Sequence, residues 1–117
     1  MKNAPHRPTG PEKTVTAETL SFPELMVFVN RARETKSDRM LRLPEVRKKM
    51  GRADSTIWKD THLGMLPSPI PVGARAVAWR ESELQACIDA MTFASRTKQK
   101  IDMRSFVTLL TAPIRFA

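Results

Sequence analysis

Ser55, Thr56 and Lys59 place two hydroxyls and an ammonium group within a turn or so of one another. Hydroxyls both donate and accept hydrogen bonds and an ammonium donates three, so this trio suits the polar edges of bases or phosphate oxygens. Further cations flank it: Arg47 and Lys48, with Lys49, on the N-terminal side, Arg52 directly before it, and Arg75 beyond it. Trp58, inside the same segment, offers either a packing surface against a neighbouring element or a ring for contact with a partner. No catalytic residue is assigned. The sequence shows no paired carboxylates in a cleft pattern, no nucleophile with a nearby histidine and no glycine-rich phosphate loop, so an enzyme is not expected. Cys87, His6 and His62 do not fall in a metal-ligand spacing, and neither metal nor cofactor is expected.

Charge supports a polyanionic partner. The 117 residues carry a formal net charge of +8, and segment 95–117 accounts for half of it. That terminal share includes Arg96, Lys98 and Lys100, a basic cluster suited to auxiliary phosphate contact. An apolar content of 41% is enough for one modest core. A single cysteine cannot form an internal disulfide, the N-terminus lacks the apolar core of a signal peptide, and no apolar run approaches the ~20 residues needed to cross a bilayer. The expected setting is cytoplasmic, without membrane contact.

Stepping outward from the trio, the sequence specifies the elements that must hold it. Pro44 suits a first helical turn, Val46 and Met50 extend an apolar face from Leu43, and Gly51 supplies the left-handed stop. After a few residues a second helix begins at Ala53 or Asp54 and runs to about Gly64, with Ile57 expected in the core. Two short helices joined by a glycine-containing turn form a helix-turn-helix, and the second is the candidate for the major groove. Pro67, Pro69 and Pro71 forbid a further helix there. Ile70, Val72, Val77 and Trp79 surround a turn at Gly73 and Ala74, so residues 68–79 read as a β-hairpin wing. Met40, Leu41 and Leu43 form a short apolar stretch that either pairs as a strand or leads into the helix.

Two further segments flank this unit. Ser21 and Glu24 have the spacing of a capping box, and Phe22, Leu25, Met26, Val29 and Ala32 repeat on one helical face. The sequence does not choose whether that face packs on the central unit or on a second copy. A helix over 81–91, bearing Leu84, Cys87, Ile88 and Met91, closes the core. Asp102 is placed to cap a short helix carrying Phe106, Val107 and Leu110. The fold class is therefore mainly α with a small β-hairpin: a winged helix-turn-helix core with extra N- and C-terminal helices. The expected organisation is a flexible arm at 1–20, a helix and linker at 21–38, the DNA-binding unit at 39–94 and a basic tail with a short helix at 95–117.

Leu43-Pro44-Glu45-Val46, Gly51, Ser55-Thr56-Ile57-Trp58-Lys59, Gly64-Met65-Leu66-Pro67 and Gly73-Ala74-Arg75-Ala76-Val77-Ala78-Trp79 together resemble the AlpA family of phage and prophage DNA-binding regulators. That family is related in fold to MerR-like winged helix-turn-helix and excisionase proteins. The resemblance spans about Arg39 to Met91. It implies a helix from Asp54 to Leu63 in the major groove, a wing near Gly73 to Arg75 on backbone or minor groove, and a role in transcriptional control or in excision of integrated elements. Double-stranded DNA is the implied partner; because a unit this small reads few base pairs alone, a homodimer or cooperative assembly is expected, and a recombinase or RNA polymerase is the expected partner if the flanking helices bind protein. This chain departs from the family pattern at Ala53 and Asp54, which shifts the expected cap to Asp54; at Arg52, where an apolar residue is usual; and at Thr61, His62 and Leu63. The competing readings are an architectural or excisionase-like DNA binder, and a protein-interaction module that uses the two flanking helices.

Overall fold

The computed structural model describes residues 22–113. The arm expected at 1–20 and Ser21 lie outside them. Helix α1 spans Pro23–Glu34, with Phe22 extended in the N-cap position and no side-chain cap. The start therefore falls after Ser21, and the reason is local: a residue that precedes proline is turned away from helical geometry, whereas proline itself fits the first turn. Leu25, Val29 and Ala32 are buried, and they pack toward the two helices at the other end of the chain.

Strand β1 (Met40–Leu41) leads into helix α2 (Leu43–Met50), which ends at Gly51 with φ +66°, the left-handed conformation expected there. Helix α3 (Asp54–His62) follows after Ala53 in the N-cap position. Strands β2 (Ile70–Gly73) and β3 (Ala76–Arg80) form the wing. The sheet order is β1-β3-β2 and all pairing is antiparallel, with Leu41 opposite Trp79 and Ile70 opposite Ala78. The apolar stretch at Met40 thus adds a third strand to the expected hairpin. Pro71 is tolerated because β2 lies at an edge, and the register slips between Pro71 and Gly73. The turn itself is Ala74 and Arg75, one residue later than expected.

Helix α4 (Glu81–Thr97) runs about a turn and a half past the Met91 end expected from its apolar spacing. Nothing in the added residues breaks a helix, and Phe93 rewards the extension by meeting Phe22 and Phe28 edge-on at 5.7 and 6.4 Å between ring centres. Helix α5 (Met103–Leu110) closes the fold. As expected, Asp102 caps it by accepting from the Arg104 amide at 3.0 Å, and it also accepts from the Ser105 hydroxyl at 2.8 Å.

Two long-range caps fasten these elements. Asp38 serves the start of α4: its carboxylate accepts from the Ser82 amide at 3.0 Å, from the Ser82 hydroxyl and from Arg80 Nε at 2.7 Å. The Arg39 carbonyl accepts from the neighbouring Glu81 amide. Arg33 serves the end of α5, donating to the carbonyls of Leu109, Leu110 and Ala112. Each cap satisfies helix-end groups with a charge of the sign that the helix dipole favours.

One continuous core joins the chain's parts. Leu25 and Val29 from α1, Val46 from α2, Ile57 from α3, Trp79 from β3, Leu84 and Cys87 from α4, and Phe106 and Leu110 from α5 are all buried in it. Cys87 is a core residue: burial, with the nearby Glu83 charge adding to it, pushes its thiol up to about 12. Such a thiol is inert at neutral pH. No helix among the described residues is long and apolar enough to cross a membrane.

Candidate nucleic-acid interface

Helix α3 is held from behind. Ile57 is fully buried, the Trp58 ring lies 5.3 Å from that of Trp79, and Thr61 faces inward enough to be half-buried. Trp79 in turn donates its indole N–H to the Pro67 carbonyl at 3.0 Å, which anchors the proline link to the wing. The expected site residue Trp58 is thus packed against the core, with His62 6.4 Å from it on the other side. Its placement fixes the roll of α3 about its own axis.

The opposite side of α3 faces outward. At ~100° per residue, Ser55, Thr56, Lys59, His62 and Leu63 fall within an arc of about 120°, and all of them are exposed. Leu63 was not among the expected contacts. Its side chain is 51% exposed on the same face as Thr56 and Lys59, where an apolar group suits a thymine methyl. The signal for it was present in the helical spacing.

The cations divide by partner. Arg47 pairs with Asp54 at 3.3 Å, Lys49 with Glu81 at 3.7 Å, Arg52 with Asp60 at 2.7 Å, Arg39 with Glu45 at 3.0 Å and Arg80 with Asp38 at 2.7 Å. Arg42, Lys48, Lys59 and Arg75 are exposed and have no ion-pair partner among the described residues. Of the expected site cations, then, Lys48, Lys59 and Arg75 stand exposed without an ion pair, and Arg42 joins them at the start of α2. Arg52 is turned instead toward α3 and α4, where it also meets the Met91 sulfur at 3.3 Å. It braces the turn between α2 and α3.

Asp54 does not cap α3. Ala53 holds the N-cap position without a side-chain acceptor, and Asp54 is the first helical residue, its carboxylate drawn to Arg47 across the turn. Two consequences follow for the site. The acidic group at the head of the helix is offset by a guanidinium, and no side chain occupies the acceptor position for the first amides of α3. Free amides at a helix start attract phosphate.

At the wing tip, Arg75 is exposed and adopts φ +106°, a value L-residues rarely take. Its amide donates to the Gly73 carbonyl at 3.0 Å, which keeps the turn tight. Strand β3 passes from the tip straight into α4 at Arg80 and Glu81, so the wing has a firm base.

Among the described residues, no cluster of three or more histidine, cysteine, aspartate or glutamate side chains is arranged to hold a metal ion. No curated protein and no solved structure matches the chain. Residues 39–92, which run from the threshold of β1 into the middle of α4, match the family model described as the prophage CP4-57 regulatory protein (AlpA).

Proposed function

We propose that the protein is a sequence-specific DNA-binding regulator of the prophage type, acting in the cytoplasm, with α3 in the major groove and the wing on flanking backbone or minor groove. The observation that carries this reading is the outward face of α3. Ser55, Thr56, Lys59 and Leu63 combine hydrogen-bonding and apolar contacts on one exposed arc, while the inward face is locked by Ile57 and Trp58. Such a helix presents a fixed pattern to base edges. Lys48 on α2, Arg42 at its N-cap and Arg75 on the wing supply cations for phosphates. The family match over residues 39–92 supports the same reading.

Within it, Ser55 goes to phosphate or a base edge, Thr56 to a base or a thymine methyl, and Lys59 to guanine or phosphate. Arg47 acts indirectly by offsetting Asp54, and Arg52 and Trp58 act by holding α3 in place. The flanking helices favour this reading over an interaction module, because α1 and α5 spend their apolar faces on α4 and on each other. A unit this small spans few base pairs, so paired or cooperative binding belongs to the proposal, as does a MerR-like winged helix-turn-helix kinship.

Selection of bound duplexes from a random pool at physiological salt tests it, with the wild type run beside the Thr56→Ala, Lys59→Ala double variant. Enrichment of one motif by the wild type and its loss in the variant is the expected result. An enriched motif with a dyad would report a dimer. Salt-dependent retention without enrichment would replace the reading with an architectural role.

A further inference from the structure

Helix α5 lies outside the segment that matches the family, yet one of its side chains reaches the foot of α3. Gly64, the second residue past the end of that helix, has φ +79°, and a methyl group added to it would sit 3.7 Å from Arg104 Nε and 3.8 Å from Arg104 Cγ. The arginine stem therefore runs across Gly64. Arg104 is exposed and has no ion-pair partner among the described residues. Its neighbour Asp102 is already engaged by the Arg104 amide and the Ser105 hydroxyl.

From this placement we infer that Arg104 is a DNA-phosphate contact, supplied by α5 at the end of α3 opposite to the turn from α2. The inference rests on the proposed docking of α3. A helix of nine residues is ~13 Å long, about the width of the major groove at ~12 Å. When its outward face meets base edges, its two ends come close to the two phosphate walls. The head of α3 follows the cationic end of α2, where Arg47 meets Asp54 at 3.3 Å and Lys48 is next to it in sequence. The foot ends in His62, Leu63, Gly64 and Met65, with no lysine or arginine among them, and Arg104 is the guanidinium seated there. Arginine suits that task, because its planar fork meets phosphate oxygens in pairs.

A purely structural role is the competing explanation, since a cation beside a helix C-terminus complements the dipole. Measurements on the full chain separate the two. Binding to a duplex of random sequence, about 20 base pairs long, is followed by fluorescence anisotropy as salt is varied. The variants are Arg104→Gln, which keeps a stem over Gly64, and Arg31→Gln, which removes a charge already committed to Asp89 at 3.6 Å. Thermal melting of each accompanies the titrations.

A phosphate contact predicts that Arg104→Gln lowers the slope of log affinity against log salt by ~0.9, so that the loss of affinity between 50 and 200 mM salt becomes about threefold smaller. Arg31→Gln is expected to leave the slope unchanged. A lower melting temperature for Arg104→Gln with an unchanged slope would overturn the inference, as would an equal slope change for both variants. Failure of the wild type to bind any duplex would remove the docking of α3 as well. If Lys59→Ala reduces the slope and Arg104→Gln does not, only the inference about α5 falls.

Discussion

Lys59 and Arg52 stand seven residues apart on the same helix-turn-helix, but only Lys59 leaves its charge available, because Arg52 is held 2.7 Å from Asp60. That difference predicts distinct phenotypes for the two residues. Thr56→Ala or Lys59→Ala is expected to cost about 1 to 3 kcal/mol at the preferred site and much less on random DNA. Competition binding with both duplexes measures this, and equal losses on the two would remove these residues from base reading. Lys48→Ala should weaken all sequences alike and lower the salt slope. Arg52→Ala instead leaves a half-buried carboxylate without its partner, so its melting temperature should fall while the salt slope of the folded protein is kept. The sequence alone placed Arg47, Lys48, Arg52 and Arg75 among the DNA-binding residues, with Arg75 favoured over the cluster on the first helix. It could not separate the paired from the unpaired, since a charge's availability depends on which carboxylate the fold brings beside it.

Among the elements, α2 and α5 announce themselves through local chemistry: Pro44 and Gly51 bound one helix, and Asp102 opens the other. The start of α4 does not. Its cap is Asp38, 44 residues earlier in the chain, and no spacing rule connects the two. The same holds for Arg33, whose acceptors lie more than 70 residues away at the end of α5. These contacts exist only once β1 has paired with β3 and α1 has packed on α5. Asp38→Ala should accordingly cost about 0.5 to 2 kcal/mol, the usual range for a lost N-cap. Burial alone would raise the Asp38 carboxyl, but hydrogen bonds from the Ser82 side chain and backbone and from Arg80 outweigh it and hold the group below its ordinary value of 3.8. A lowered folded value means that the ionised cap stabilises above 3.8 and that its contribution fades as pH falls below that value and through the folded one. Melting curves of wild type and Asp38→Ala should therefore lie well apart at neutral pH and converge in strong acid. A gap that stays constant with pH would mean that the carboxylate's charge plays no part.

At the scale of the whole molecule, the core ignores the boundary of the family match. Leu25 and Val29 come from before residue 39 and Phe106 and Leu110 from after residue 92, yet they are buried in the same cluster as Val46 and Trp79. Truncating any of them is expected to lower one shared melting transition. Trp79→Ala should be among the most damaging at about 3 to 5 kcal/mol, since it removes a buried indole together with its hydrogen bond to Pro67. Calorimetry that showed separate transitions for the flanking helices and the central unit would contradict a single core. The wing tip bears on this same stability from the other side. An arginine held at φ +106° stores about 1 to 3 kcal/mol of backbone strain that glycine would not. Arg75→Gly should therefore melt at a higher temperature than the wild type while holding DNA less tightly. The chain, on this account, is less heat-resistant than its own fold allows, and part of the shortfall sits at a residue whose side chain is exposed.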